Sequence, residues 1–421
     1  MNVNRAGSME EFRNALRDWD VPGQNFVYGD GEGNIGYQTT GKHPLRSSHE
    51  GRSPAVPSAG EKWEGTVPFD MMPGLYNPDR GFIVSANNPV ADSGYEFLIG
   101  SEFANGYRAL QIENRLNELG NTIEIDDLKS VHADVYSLHA KEFVVQMLEA
   151  DAETAADGYA KYEEWISSQN GTRDAADTSE KKLRSLESLV EDVLDLWRNW
   201  DFTMEADSPQ ALAYAYVWRE LILNTMEDEF PPPGSVRGSI SDYESFFHIL
   251  FSDPDHRFWD YRPSDGAENM KDIISRSLAE GVSKAAEEHG MNPDKWKWGD
   301  VHGVEFRNAT LGESGIPVVE RLFNRGPFPV PGHGSTVNVT HWSLNRPFDV
   351  TSIASQRSIL DAGNPDNSLF IHPGGQSGHP FHRHYDDYIP VWVNVEYHPG
   401  RFSRGAVEAD AGSRLIQLLP E

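Results

Sequence analysis

Several groups of residues have the types and spacing to do chemistry. The run His379-Pro380-Phe381-His382-Arg383-His384-Tyr385-Asp386-Asp387 sets imidazoles beside carboxylates, donors of the kind that hold zinc or iron. Arg383 lies between two of the histidines and the H-E-x-x-H spacing is missing, and both weaken the metal reading. Gly374-Gly375-Gln376-Ser377-Gly378 places a serine in a glycine-rich turn, but out of register with the G-x-S-x-G elbow, which favours a structural turn. Asn87-Asn88-Pro89 closes an apolar segment. Asparagine before proline suits a turn, and the alternative is an amide that donates to an oxyanion. Arg108 and Arg115 share one face of a helix expected from near Phe103, as solvated or ion-paired residues or as part of a site. Gly31-Glu32-Gly33-Asn34-Ile35-Gly36 fits G-x-G-x-x-G in form. A strand follows it where a dinucleotide site needs a helix N-terminus, so that reading is rejected.

The elements that must position these groups follow from periodicity. An amphipathic helix is expected over Glu10 to Asp18. A hairpin should follow, with Asn25 to Tyr28 as one strand, a turn at Asp30 to Gly33, and Asn34 to Thr40 as the partner. Gly41 to Gly60 reads as a loop, and Thr66 to Phe69 and Gly81 to Ala86 as short strands. From Ser101 to Gly290 the period is helical, with Leu183, Leu186, Val190, Val193, Leu194 and Trp197 on one stripe. Ser208-Pro209 starts a helix and Gly290 stops one. Asn170 to Ser179 reads as a polar connector, and Pro231-Pro232-Pro233-Gly234 as a surface break. Strands are expected again at Val337 to Trp342 and Tyr388 to Glu396. The order strand, helix, strand predicts an α+β chain in three regions: 1–100 as a sheet region, 101–290 as a helical insertion, and 291–421 returning to the sheet.

Composition narrows the partners. Lys plus Arg number 36 against 66 Asp plus Glu, a formal charge of -30, which opposes nucleic acid and anionic membranes. Such a surface suits a salt-adapted protein, because salt screens its self-repulsion, or an ordinary acidic one. Without cysteine there is no disulfide, thiolate metal site or cysteine nucleophile. The apolar stretch Ala211 to Leu223 is interrupted by Arg219 and Glu220, so no membrane span is expected. Met1 to Ser8 has one basic residue and no apolar run, so it does not read as a signal peptide.

Taken in order, Asn2 to Ala6, Gln24 to Asp30, Gly33 to Tyr37, Val67-Pro68-Phe69, Tyr76-Asn77-Pro78, Gly81 to Asn88 and Gly106-Tyr107-Arg108 resemble the β chain of the penicillin acylase (penicillin amidase) family. The likeness continues through Trp298 to His302, Pro373 to Pro380 and His384 to Asp387, and so spans nearly the whole chain.

The resemblance implies a partial αββα sandwich of the N-terminal-nucleophile (Ntn) hydrolases, matured by self-cleavage into α and β chains. It implies hydrolysis of a linear amide in a small molecule, penicillin or a related N-acyl substrate, through an acyl-enzyme on an N-terminal serine whose own α-amine is the base. By that resemblance Asn87 is the oxyanion amide and Arg108 orders the active site, while Gln24 and Asn25 are structural. The α chain and the opening of the β chain, with the nucleophile, are expected to lie upstream of Met1. Calcium is possible in the complete enzyme, and family members are usually exported to the periplasm or medium. The alternatives are an inactive truncated remnant, or a non-catalytic metal-binding or interaction module on His379 to Asp387.

Overall fold

The computed structural model describes residues 2–47, 51–54, 56, 58, 60–150, 152–169, 180–230, 232, 234–261 and 267–411. The connector expected at Asn170 to Ser179 lies outside the described residues, as do Pro231 and Pro233 and the side chain of Leu183. The chain divides into two compact units. One comprises 1–129, 357–371 and 397–421, and the other 130–356 and 372–396.

The first unit opens with a helix, Met9–Ala15, capped by the Ser8 side chain, which accepts from the Glu11 amide. The expected hairpin forms from strands Asn25–Gly29 and Ile35–Thr39, antiparallel, with Asn25 opposite Thr39 and Gly29 opposite Ile35. Asp30 builds its turn by accepting from the amides of Glu32 and Asn34. Strand Gly74–Tyr76 joins on the far side of Ile35–Thr39, with Leu75 opposite Tyr37. The loop expected over Gly41 to Gly60 contains a strand, Pro44–Arg46, which pairs with Trp63–Thr66. The next strand therefore ends where Thr66 to Phe69 was expected to begin one. Pro68 offers no amide to a ladder, and Phe69–Met71 turns as a 3-10 helix. A helix at Tyr107–Leu119, starting later than Phe103, completes the part that bears on the site. Strands Arg357–Ile359, Leu369–Ile371 and His398–Pro399 form a separate small sheet in this unit.

The second unit is mainly helical. Its core helix, Pro209–Met226, starts as expected, with Ser208 accepting from the Ala211 amide and proline in the first turn. It is buried nearly all round, which explains the weak polar face of its sequence. Helix Met270–His289 packs beside it, opened by a capping box of Asn269 and Asp272 and stopped by Gly290 at φ 89°. Gly281 is required at their crossing, because a Cβ there would stand 2.6 Å from the Val217 Cα. The stripe Leu186, Val190, Val193, Leu194 and Trp197 on helix Glu180–Arg198 enters the same core.

A buried polar cluster sits inside this unit. Glu244 Oε1 lies 3.9 Å from His139 Nδ1 and 3.7 Å from His333 Nδ1. His333 Nε2 meets Ser137 Oγ at 2.7 Å, and His139 Nδ1 meets the Tyr214 hydroxyl at 2.7 Å. Burial pushes the His139 ring down to about 3 and the His333 ring well below its usual range.

Three further strand expectations differ from the structure. Gly81 to Ala86 belongs to no ladder among the described residues. Val337 to Trp342 contributes only Thr340–His341, paired with Ser352–Ile353. Tyr388 to Glu396 contains a short helix, Ile389–Val393, with Pro390 in its first turn, where proline's fixed φ suits a helix and its missing amide costs nothing. The α+β class expected from the element order is the class of the structure.

Candidate active site

Asn87 and Arg108, twenty-one residues apart, meet in the first unit. Asn87 lies in the loop before Ala104, exposed, with φ 64°. Asparagine tolerates that left-handed backbone better than most residues, so the position selects for it. Its carbonyl accepts from the Ala104 amide at 2.9 Å, and the neighbouring Ala86 is buried, which anchors the loop.

Arg108 stands in the first turn of helix Tyr107–Leu119. A cation there opposes the helix dipole, typically by roughly 0.3–1 kcal/mol, so local propensity does not explain it. The tertiary structure does, because Arg108 Nη2 donates to Asn87 Oδ1 at 2.9 Å. A guanidinium can only donate, so this contact selects the amide oxygen and turns the Asn87 NH2 group the other way. The side chain thereby presents N–H donors, as an oxyanion would require.

Further bonds hold this geometry. Arg80 Nη1 donates to Glu113 Oε1 at 2.7 Å, tying the chain ahead of the loop to the same helix. Asn88, the second of the pair, is a turn residue. Its Oδ1 accepts from the Ala86 amide at 2.9 Å, so its oxygen is used locally. Hydrogen bonding thus commits the amide oxygens of the two asparagines to different donors. Arg115 takes the ion-paired alternative, with Nη1 2.8 Å from Glu118 Oε2.

Asn25, expected to be structural, contacts both the hairpin and the site loop. Its Oδ1 accepts from the Tyr37 hydroxyl at 2.6 Å, and its Nδ2 donates to Ser85 Oγ at 3.3 Å. The role of Ser85 had no signal in the sequence, because its bond joins residues sixty positions apart. Gln24 accepts through its backbone carbonyl from Thr40.

The other candidates resolve differently. Ser377 lies in a turn, and Gly375 is required there because a Cβ would stand 2.3 Å from the His384 carbonyl oxygen. The metal-binding alternative at His379 to Asp387 finds no ligand set: His384 Nδ1 meets Asp387 Oδ2 at 2.6 Å, and Asp386 pairs with Arg325. Among the described residues, no group of three or more histidine, aspartate or glutamate side chains could hold a metal ion. No described helix is long and apolar enough to cross a membrane.

An acyl-homoserine lactone acylase, QuiP, of Pseudomonas aeruginosa is 25% identical over 440 residues, covering 100% of this chain and 49% of its own length. Penicillin acylase 2 proenzyme of a Pseudomonas species is 26% identical over 415 residues, covering 96% of this chain and 47% of its own. The chain thus spans about half the length of the curated relatives it matches. A solved structure of thermostable penicillin G acylase from Alcaligenes faecalis superposes with a TM-score of 0.59 at 17% identity, covering 100% of this chain and 72% of that one, which shows a shared fold. The penicillin amidase family profile matches residues 1–409, and the chain belongs to that family.

Proposed function

We propose that this chain supplies the oxyanion-binding part of an amidohydrolase that cleaves linear amides in small N-acyl compounds, acyl-homoserine lactones or penicillins. The observation that carries the reading is the Arg108 to Asn87 hydrogen bond, which commits the amide oxygen and leaves its N–H bonds as donors. Family membership and relatives named for both substrate types support the reaction class.

The nucleophile in this reading is the N-terminal serine that membership of the family implies. Its α-amine takes the hydroxyl proton as Oγ attacks the amide carbonyl. The carbonyl oxygen becomes an oxyanion, which accepts a hydrogen bond from Asn87 Nδ2. Collapse expels the amine, which leaves with the proton, and water hydrolyses the acyl-enzyme by the same steps. Arg108 is a positioning residue that holds the amide in the donating orientation.

The test uses the natural gene product containing these residues, given a panel of N-acyl-homoserine lactones, penicillins and a chromogenic phenylacetyl amide. Release of the free amine, followed with an amine-reactive fluorophore, is the expected result. Absence of amine release from every member of the panel would overturn the proposal.

A further inference from the structure

We infer that Asn25 is a positioning residue for Asn87, acting through Ser85, so that the hairpin sets the aim of the oxyanion amide. This rests on the reading of Asn87 given above. Three side-chain bonds run in series from the buried strand to the loop. Thr39 Oγ1 donates to the Tyr37 hydroxyl at 2.9 Å, the Tyr37 hydroxyl donates to Asn25 Oδ1 at 2.6 Å, and Asn25 Nδ2 donates to Ser85 Oγ at 3.3 Å. Ser85 is two residues before Asn87.

The order of rigidity along this chain gives it a direction. Thr39 and Tyr37 are buried on the central strand, paired on both sides by Asn25–Gly29 and Gly74–Tyr76. Asn25 is exposed but opposite Thr39 in register, so the strand pairing places its side chain. Ser85 lies in a segment without a ladder among the described residues, so side-chain and backbone bonds must place it. The short Tyr37 contact commits Asn25 Oδ1 as acceptor, which obliges its NH2 to face Ser85. The same logic of a committed amide oxygen operates at Asn87, where Arg108 is the donor. Two asparagines, each oriented by a donor on a regular element, thus hold the loop from its two sides.

The arrangement also accounts for the absent strand. A ladder would place residues 81 to 86 by backbone bonds alone and would leave Asn87 at the strand's own pleat. Side-chain tethers at Ser85 and Asn87, with the Ala86 amide bonded to Asn88 Oδ1, permit the left-handed turn at Asn87 instead.

The test combines hydrogen exchange and kinetics on the natural gene product containing these residues, using Ser85→Ala, Asn25→Ala, the double variant and Ser85→Thr. The Ala104 amide, bonded to the Asn87 carbonyl, reports whether the loop stays in place. Its exchange is expected to accelerate about fivefold in either alanine variant, the loss of one neutral hydrogen bond, and no further in the double. Ser85→Thr, which keeps the hydroxyl, should exchange like the parent. In the same protein the alanine variants should lower kcat about fivefold with KM unchanged, again without adding. Unchanged Ala104 exchange, or additive losses in the double variant, would overturn the inference. If Asn87→Ala leaves kcat intact while Ala104 exchange responds as described, the positioning stands and the catalytic reading of Asn87 fails.

Discussion

Arg108 Nη2 lies 2.9 Å from Asn87 Oδ1, and this one contact commits the amide oxygen as acceptor and leaves the NH2 group to donate elsewhere. Because arginine has no acceptor, the bond cannot form with the amide reversed. Replacing Asn87 with alanine is expected to reduce kcat by about 10²–10³, the usual cost of one oxyanion donor. Replacement with aspartate should be at least as harmful, since a carboxylate would face the developing negative charge. Amine release under substrate saturation measures both.

Arg108→Lys keeps the charge but loses the planar fork. A charged hydrogen bond is worth about 1.5–3 kcal/mol, so kcat should fall about tenfold or more while global stability changes little. The comparison is kcat against the urea midpoint. Full kcat in the Arg108→Lys variant would show that orientation of the amide does not depend on the guanidinium.

The buried histidines of the second unit make its stability depend on acid. In the folded state burial pushes His139 and His302 down to about 3, and His333 well below its usual range. Glu244 stands beyond hydrogen-bond reach of both His139 and His333, so its attraction does not outweigh their desolvation. Between about pH 6.5 and 3 the unfolded chain therefore binds more protons than the folded one. The contribution of these rings is fully present above about pH 6.5 and is lost as the pH falls toward 3. The urea midpoint followed by tryptophan fluorescence should fall steadily across that window. A flat profile would contradict the neutral assignment.

Gly281→Ala places a Cβ against the Val217 backbone, where no side-chain rotation relieves it. Helix propensity favours alanine by about 1 kcal/mol, but overpacking typically costs about 1–3 kcal/mol. The net expectation is destabilisation, seen as a lower urea midpoint. A gain in stability would show that the two helices can separate without loss.

Ser208→Ala removes the side-chain acceptor for the Ala211 amide at the start of the core helix. A loss of about 1 kcal/mol is expected, measured as a shift in urea midpoint with unchanged slope.

Local signals in the sequence determined the elements whose causes are themselves local. Ser208-Pro209 and Gly290 marked helix ends because caps act within one turn, and the apolar stripe from Leu186 to Trp197 marked a buried face because helical period is local. The hairpin at Asn25 to Thr39 was legible because its turn chemistry lies in five consecutive residues. Resemblance in the order of motifs identified Asn87 and Arg108 as the pair to examine. Tertiary structure alone decided what depends on distant partners. It turned the amide of Asn87 with a donor twenty-one residues away, reached Ser85 from Asn25, and gathered Ser137 and His139, Glu244, and His333 from three separate segments. It also left Gly81 to Ala86 without a strand partner among the described residues and put a short helix, Ile389–Val393, within Tyr388 to Glu396. A strand exists only where another strand meets it, and apolar alternation in one segment carries no record of whether that partner is there.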